Sequence, residues 1–478
     1  MTLQLIDNFG DVAAEEDAVL DYFLSTDTAR EIETGKAFLV LGRKGTGKTA
    51  LVRYMTEATP RWNSKSLNLR NYPWAVHATR TDRSGAEIEA YVASWRYLIA
   101  VELAKSIIKK TGPHVSPLTE ELSKFLTQNY GGLDPSIGDI LRPNRLNLNQ
   151  INFAPSIFGN KLGEVGLDRA KNNLNFGPEL NALTDAINNT ALKIIRNYPK
   201  DPIQLHFDEL DQGLSDLDEV RSKLIIGLVL AARDTKRFFA DHYPVYPVVY
   251  LRTDLWGQLQ FSDKNKITQG PAIEIFWNEE SLKDLVNIRI GKRTNSKSQW
   301  DDIEDGQLMR GTQKKWSHIV KRTLLRPRDV IQYLNIALDE AKSRDLNADV
   351  FISRDISQAR NRYSDYLKAE LDDEIRPHWP NWDEALQACS EIAKITFSKE
   401  QFASAYATRK ASQAVDVDEA LRQLFRFSVI GYRQPGAHGG SRWLYNYEER
   451  GTGWDNGAST FQVHLGLKEH AKLREGRA

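Results

Sequence analysis

The residues Gly42-Arg43-Lys44-Gly45-Thr46-Gly47-Lys48-Thr49 follow the spacing G-x-x-x-x-G-K-[ST], and the chemistry that spacing suits is the holding of a polyphosphate. Glycines let the backbone curl until successive N–H groups face one concavity, with the N-terminus of a following helix behind it. An ammonium at Lys48 would bridge the β- and γ-phosphates, and the Thr49 hydroxyl would ligate Mg2+. Gly42, Arg43, Lys44, Gly45, Thr46, Gly47, Lys48 and Thr49 are therefore the candidate binding residues for ATP, with Thr49 also a candidate metal ligand. The competing interpretation is a glycine-rich turn carrying an accidental lysine.

A second group of residues could complete that chemistry. Leu205-His206-Phe207-Asp208-Glu209 is a β-prone run ending in two carboxylates. Asp208 would support the magnesium through water, and Glu209 would polarise an attacking water as general base. Carboxylates at a helix entrance also serve as plain caps, and the nearby phosphate loop is what favours the catalytic role. Val248 to Asp254 reads as another buried strand with polar residues at its end, where Arg252, or next Thr253, could sense a γ-phosphate. A salt-bridged arginine at a strand end is the alternative. Arg326-Pro327-Arg328-Asp329 starts a helix, with Pro327 breaking the preceding segment and Asp329 available as a cap. An arginine there could reach over bound ATP, unless it only marks the helix start.

These residues need a scaffold. Ala37 to Leu41, Ile203 to Phe207 and Val245 to Leu251 are short apolar runs, preceded by or alternating with helical stretches such as Ala86 to Lys109 and Ser222 to Phe239. Strands alternating with helices predict a parallel sheet covered on both faces. Residues 12–24 have helical apolar spacing and predict a leading helix. Between about 111 and 175 the texture turns to Asn, Gly, Pro and Ser, which predicts an insertion into a core spanning 1–277, with a short strand at Leu146 to Phe153. From Asn278 the chain reads as helical, at Ser281 to Ile290, Trp316 to Leu324 and Asp329 to Ala341, a second region over 278–368. In 369–478, helices at Trp382 to Ile395, Lys399 to Tyr406 and Val417 to Phe427 precede alternating runs around Trp443 to Tyr447 and Phe461 to Leu465. Three helices and a two-stranded hairpin outline a winged helix.

With 478 residues the chain has room for about three domains. Its composition, 41% hydrophobic and 27% charged, excludes global disorder. Sixty-four Lys plus Arg balance 64 Asp plus Glu, so any nucleic-acid contact must be local. The longest apolar stretch, Leu224 to Ala232, is far below the roughly 20 residues that cross a bilayer, and the acidic opening lacks the basic start of a signal peptide. The expectation is a cytoplasmic protein without membrane contact. Cys389 is the single cysteine, which excludes an internal disulfide and any multi-thiolate zinc site.

Taken in order, GRKGTGKT, LHFDELD, VVYLRTD and RPRDVI resemble Walker A, Walker B, sensor 1 and sensor 2 of the AAA+ and STAND group of P-loop ATPases. The segments FGDVAAEED, RNYPW, LRTDLWGQLQFSDKNK and FQVHLGL are similar to a family of bacterial single-chain P-loop ATPases suspected of roles in DNA repair or phage defence. The resemblance implies an ASCE-type sheet, a helical lid and a winged helix. It also implies Lys48 and Thr49 on phosphate and metal, Asp208 supporting the metal, Glu209 as base, and Arg252 and Arg328 as sensors. Arg252-Thr253 stands where many AAA+ proteins have Asn, closer to the STAND habit. Arg233 and Arg237 are candidates for an arginine finger, with a charged helix surface as the simpler account.

The function expected on this basis is an ATP-driven switch or motor, with a partner protein or a second copy of itself as partner. A non-catalytic ATP-bound scaffold and a DNA-binding regulator are the alternatives. A small-molecule kinase would share the loop but has less use for a lid followed by a winged helix. A GTPase would need Asn-Lys-x-Asp, which Asn265-Lys266-Ile267-Thr268 approaches without the final carboxylate. DNA contact through the winged helix would use Arg409, Lys410 and Arg442 beside Trp443. Asp416, Asp418 and Glu419 at the start of the third helix oppose it.

Overall fold

The computed structural model describes residues 3–58, 63–70, 72–82, 88–141, 176–197, 201–210, 218–295, 297–309, 311–435, 440–449 and 453–475. The chain forms two units: one of residues 25–43 and 48–275, the other of residues 1–24, 44–47 and 276–478. The first 24 residues thus group with the second half of the chain, where the sequence pattern had put them with the core.

The first unit is α/β. Its parallel strands are β1 (Leu39–Gly42), β2 (Asn63–Asn68), β3 (Ile203–Asp208), β4 (Val245–Arg252) and β5 (Ala272–Glu274), in the order β2-β3-β4-β1-β5. The three predicted strands are the central ones. Both β1 and β3 are buried along their whole length, as strands covered on both faces are. The edge strands were not predicted. Within β2, NSKSLN, Leu67 is buried among polar neighbours, and β5 has three half-buried residues. Helices Ile88–Thr111, Phe176–Ile195 and Glu219–Phe239 pack together, with Trp95, Tyr97 and Phe207 in the core. From the stretch read as an insertion, helix Pro117–Tyr130 starts on a Ser116 and Thr119 capping box and adds Leu122, Phe125 and Leu126 to that core. The strand expected at 146–153 lies outside the described residues.

One face of β3 is polar yet buried. Gln204, His206 and Asp208 alternate on it, as the strand period requires. The His206 Nδ1 lies 2.9 Å from the Tyr250 hydroxyl and its Nε2 3.2 Å from Gln204 Oε1, while Gln204 donates to the Ile32 carbonyl at 3.2 Å. Burial lowers the pKa of His206 to about 3. In the other unit burial, helped by Arg322, does the same to His318, also to about 3. An unfolded histidine takes its proton near pH 6.5 and these folded ones only near 3, so the unfolded chain binds more protons in between. Stability therefore falls as pH drops through that window. Between pH 7 and pH 5 each histidine should cost its unit about 2 kcal/mol. Urea unfolding at the two pH values checks this, and equal midpoints would show that the folded rings take up protons as the unfolded ones do.

In the second unit the predicted leading helix does not form. Residues 13–22 hold turns and a single 3-10 turn at Val19–Asp21, because their polar groups serve distant partners. Asp17 accepts from Arg289 at 2.9 Å and from the Tyr22 hydroxyl, and Arg289 also donates to the Phe9 carbonyl at 2.7 Å. A local helix would forfeit a nearly buried ion pair.

Helices Glu279–Thr294, Lys315–Val320 and Pro327–Arg344 match the expected segments, and the 23-residue helix Ser353–Ile375 was not anticipated. Beyond them, helices Trp382–Ile392, Lys399–Ala407 and Val417–Arg426 accompany a sheet of β6 (Thr396–Ser398), β7 (Ile430–Pro435), β8 (Ser441–Leu444) and β9 (Thr460–Val463), ordered β6-β9-β7-β8. The expected hairpin partners are corrected. Strand β8 pairs with β7, and β9 pairs with β7 and β6. The strand Ile430–Pro435 had been missed because only its first three residues are buried.

Candidate functional site

The candidate loop leaves β1 at Gly42 and enters the helix Lys48–Arg53, the strand-loop-helix setting that a phosphate loop needs. Gly45 and Gly47 have φ of +79° and +97°, a region where a Cβ is strained. At Gly45 a Cβ would also come within 3.1 Å of the Arg328 Cβ.

The loop carbonyls are tied by donors. In the first unit Lys48 Nζ donates to the carbonyls of Gly42 at 2.9 Å and Arg43 at 3.2 Å. In the second, Arg326 donates to the Lys44 carbonyl at 3.1 Å, and the Trp277 indole N–H to the Thr46 carbonyl at 3.0 Å. The Arg328 N–H faces the Gly45 carbonyl at 3.5 Å. No described peptide bond is cis, and in a trans peptide N–H and C=O point opposite ways. Each tied carbonyl therefore turns the next residue's N–H the opposite way within the same peptide plane. Thr46 is buried, and Gly45, Gly47, Lys48 and Thr49 are half-buried.

At the carboxyl end of the same sheet lie the other residues of the first unit. Gly42 pairs in register with Arg252, and Phe207 with Val249, so Asp208 follows on a strand separated from β1 by β4. Asp208 and Glu209 are 4% and 5% exposed, a depth at which carboxylates are rare unless they have partners or work. Glu209 has φ +60°, which costs a non-glycine residue about 1–2 kcal/mol. The Leu69 N–H donates to the Asp208 carbonyl at 3.0 Å and Leu210 is fully buried, which holds the bend on both sides. Arg252 grips Asp254 with two bonds of 3.0 and 2.7 Å, and Thr253 donates to Glu274 at 3.3 Å. The Arg252–Asp254 pair is the strand-end salt bridge weighed as the alternative to a sensor, and Glu274 as partner of Thr253 was not anticipated.

In the second unit Arg328 donates to the Val12 carbonyl at 3.1 Å and pairs with Glu370 at 3.2 Å. Lys44 reaches Glu370 at 3.4 Å and Asp373 at 2.9 Å. Arg326 is fully buried, and besides the Lys44 carbonyl it holds Asp329 at 2.9 Å and Glu374. Glu370, Asp373 and Glu374 sit on the unanticipated helix Ser353–Ile375, and Asp329 on Pro327–Arg344. Trp277 and Arg326 were equally missed as loop ligands, although Arg326 belongs to the motif from which Arg328 was chosen. Arg233 pairs with Asp234 and Asp263, and Arg237 is exposed. In the C-terminal part Arg409 holds Gln387 and Glu391, Arg442 holds Gln434 and Glu449, and Asp416 caps its helix through the Glu419 N–H. Lys410 is exposed. Among the described residues, no helix is long and apolar enough to cross a membrane.

Comparisons add the following. Residues 280–372 match the model of a FunZ-associated C-terminal helical domain. The chain is 25% identical over 377 residues to a protein of Escherichia coli (strain K12) described as an 80.3 kDa protein of transposon gamma-delta, covering 74% of this chain. This chain spans about half the length of that curated relative. Among solved structures, Aeropyrum pernix ORC1 in complex with DNA is 11% identical, covering 98% of this chain and 95% of that one, with TM-score 0.35. Drosophila ORC bound to DNA is 12% identical over 98% and 89%, with TM-score 0.31.

Proposed function

We propose that the chain is an ATP-binding P-loop ATPase of the AAA+ kind, acting as a nucleotide-driven switch or motor. The observation that carries this reading is the loop Gly42 to Thr49. It sits between a buried parallel strand and a helix, its carbonyls of residues 42 to 44 and 46 tied at 3.2 Å or less. Backbone N–H groups of such a loop are the donors that meet phosphate oxygens. Lys48 and Thr49 bind phosphate and metal. Asp208 with Thr49 offers the sparse oxygen set, one carboxylate and one hydroxyl, that suits Mg2+ held partly by substrate phosphates. That ion would neutralise charge building on the transferred phosphoryl group. Glu209 orients and deprotonates the water. Arg252 and Arg328 are the proposed sensors, each now holding a carboxylate that a phosphate would replace.

The three helices and small sheet after residue 381 support a winged helix, and with it contact to DNA or a partner protein. Its paired arginines and acidic helix start favour protein over DNA. Roles in DNA repair or phage defence rest on the family resemblance alone. The test is calorimetric titration with Mg-ATP, competition by GTP, and phosphate release with and without duplex DNA. Binding that GTP fails to displace, with phosphate release, supports the reading. Binding without release under any condition turns it into an ATP-bound scaffold, and no heat with Mg-ATP removes it.

A further inference from the structure

Two side chains outside the motif touch the tip of the loop, and both do so through a carbonyl. The Trp277 indole N–H meets the Thr46 carbonyl at 3.0 Å, and Arg326 meets the Lys44 carbonyl at 3.1 Å. Each carbonyl shares a peptide plane with the N–H of the next residue, Gly47 and Gly45. In a trans peptide a fixed C=O fixes the direction of that N–H. A donor on the carbonyl also polarises the amide and makes its N–H a stronger donor. At these glycines the backbone is held at φ +97° and +79°, where no Cβ limits other conformations. An external hold matters most at such positions.

Both holders are themselves fixed. Trp277 is 8% exposed, directly before the capping box of Asn278 and Ser281. Arg326 has no exposure and is clamped by Asp329 and Glu374. The described contacts of these two donors are the loop carbonyls and, for Arg326, the clamp of Asp329 and Glu374.

We infer that Trp277 and Arg326 are positioning residues of the phosphate loop, aiming the N–H groups of Gly47 and Gly45 respectively at the anion. The proposal rests on the loop binding phosphate, but half of its test does not. In the full chain labelled with 15N-glycine, Trp277→Phe keeps the ring and loses only the donor. It should move the Gly47 amide resonance and leave Gly45 in place. Arg326→Lys keeps the buried charge between Asp329 and Glu374 but loses the planar fork, and should move Gly45 and leave Gly47. Loss of one neutral hydrogen bond should raise KM for Mg-ATP about five- to tenfold in Trp277→Phe, with kcat nearly unchanged.

That selective pattern supports the proposal. Both glycines moving together in each variant, or neither moving, overturns it, as does a fall in kcat at constant KM. If the wild type binds no Mg-ATP, the nucleotide reading fails, while the glycine resonances still decide whether these side chains aim the loop.

Discussion

If the loop binds Mg-ATP as proposed, Lys48→Ala should lower the affinity about a thousandfold. A full charge near 4 Å from a phosphate oxygen, at an effective dielectric of about 20, contributes about 4 kcal/mol, and about 1.4 kcal/mol is a factor of ten. The ammonium already lies within the loop, 2.9 Å from the Gly42 carbonyl and 3.2 Å from that of Arg43. No refolding is needed to bring it to a bound phosphate. The same two bonds mean that the substitution also loosens the start of the loop, at a cost of about 1–2 kcal/mol in stability. Calorimetry and a urea melt separate the effects. An affinity within about threefold of wild type, in a variant that still melts cooperatively, would mean that Lys48 serves only the loop's own structure.

The loop and the three central strands were legible because their signals are local. Eight consecutive residues specify the turn, and β1, β3 and β4 each carry a short run of apolar, β-prone residues that the covered sheet requires. The misses share the opposite cause. Residues 12–24 have the spacing of a helix, yet Asp17 is needed by Arg289, 272 positions away, and that buried pair outweighs a short exposed helix of marginal intrinsic stability. Strand β2 carries polar residues because it is an edge, so its sequence reads as a loop. The C-terminal pairing failed for a similar reason. Register between β7, β8 and β9 is set by which strands meet over the core, not by which apolar runs lie next in the chain.

The site divides in the same way. Asp208 and Glu209 could be proposed from a β-prone run ending in carboxylates. No spacing could announce Trp277 or Arg326, which reach the loop from 231 and 282 residues away. Arg328 was named as a sensor only as what the family resemblance implies; the residues themselves left either arginine of the motif open. The structure gives the buried position to Arg326 instead, and leaves Arg328 half-buried beside Glu370. The acidic partners Glu370, Asp373 and Glu374 lie at the end of a helix whose long polar stretch concealed its apolar stripe.

Glu209→Gln should bind Mg-ATP as tightly as wild type and hydrolyse it at least about a hundredfold more slowly, the span for a lost general base being about 10²–10⁴. The amide has nearly the shape of the carboxylate and suits the same bend, so neither fold nor loop has reason to change. What it lacks is basicity. The left-handed backbone at Glu209 sharpens the case, because a φ of +60° is one that glycine adopts without strain. Glu209→Gly should therefore shed about 1–2 kcal/mol of backbone strain, offsetting part of whatever contacts the carboxylate makes, while also losing turnover. Strain of this kind at a buried carboxylate points to work for its side chain. Single-turnover phosphate release with all three proteins measures this. Wild-type rates in Glu209→Gln would move the base elsewhere, and a marked loss of stability in Glu209→Gly would make the carboxylate structural.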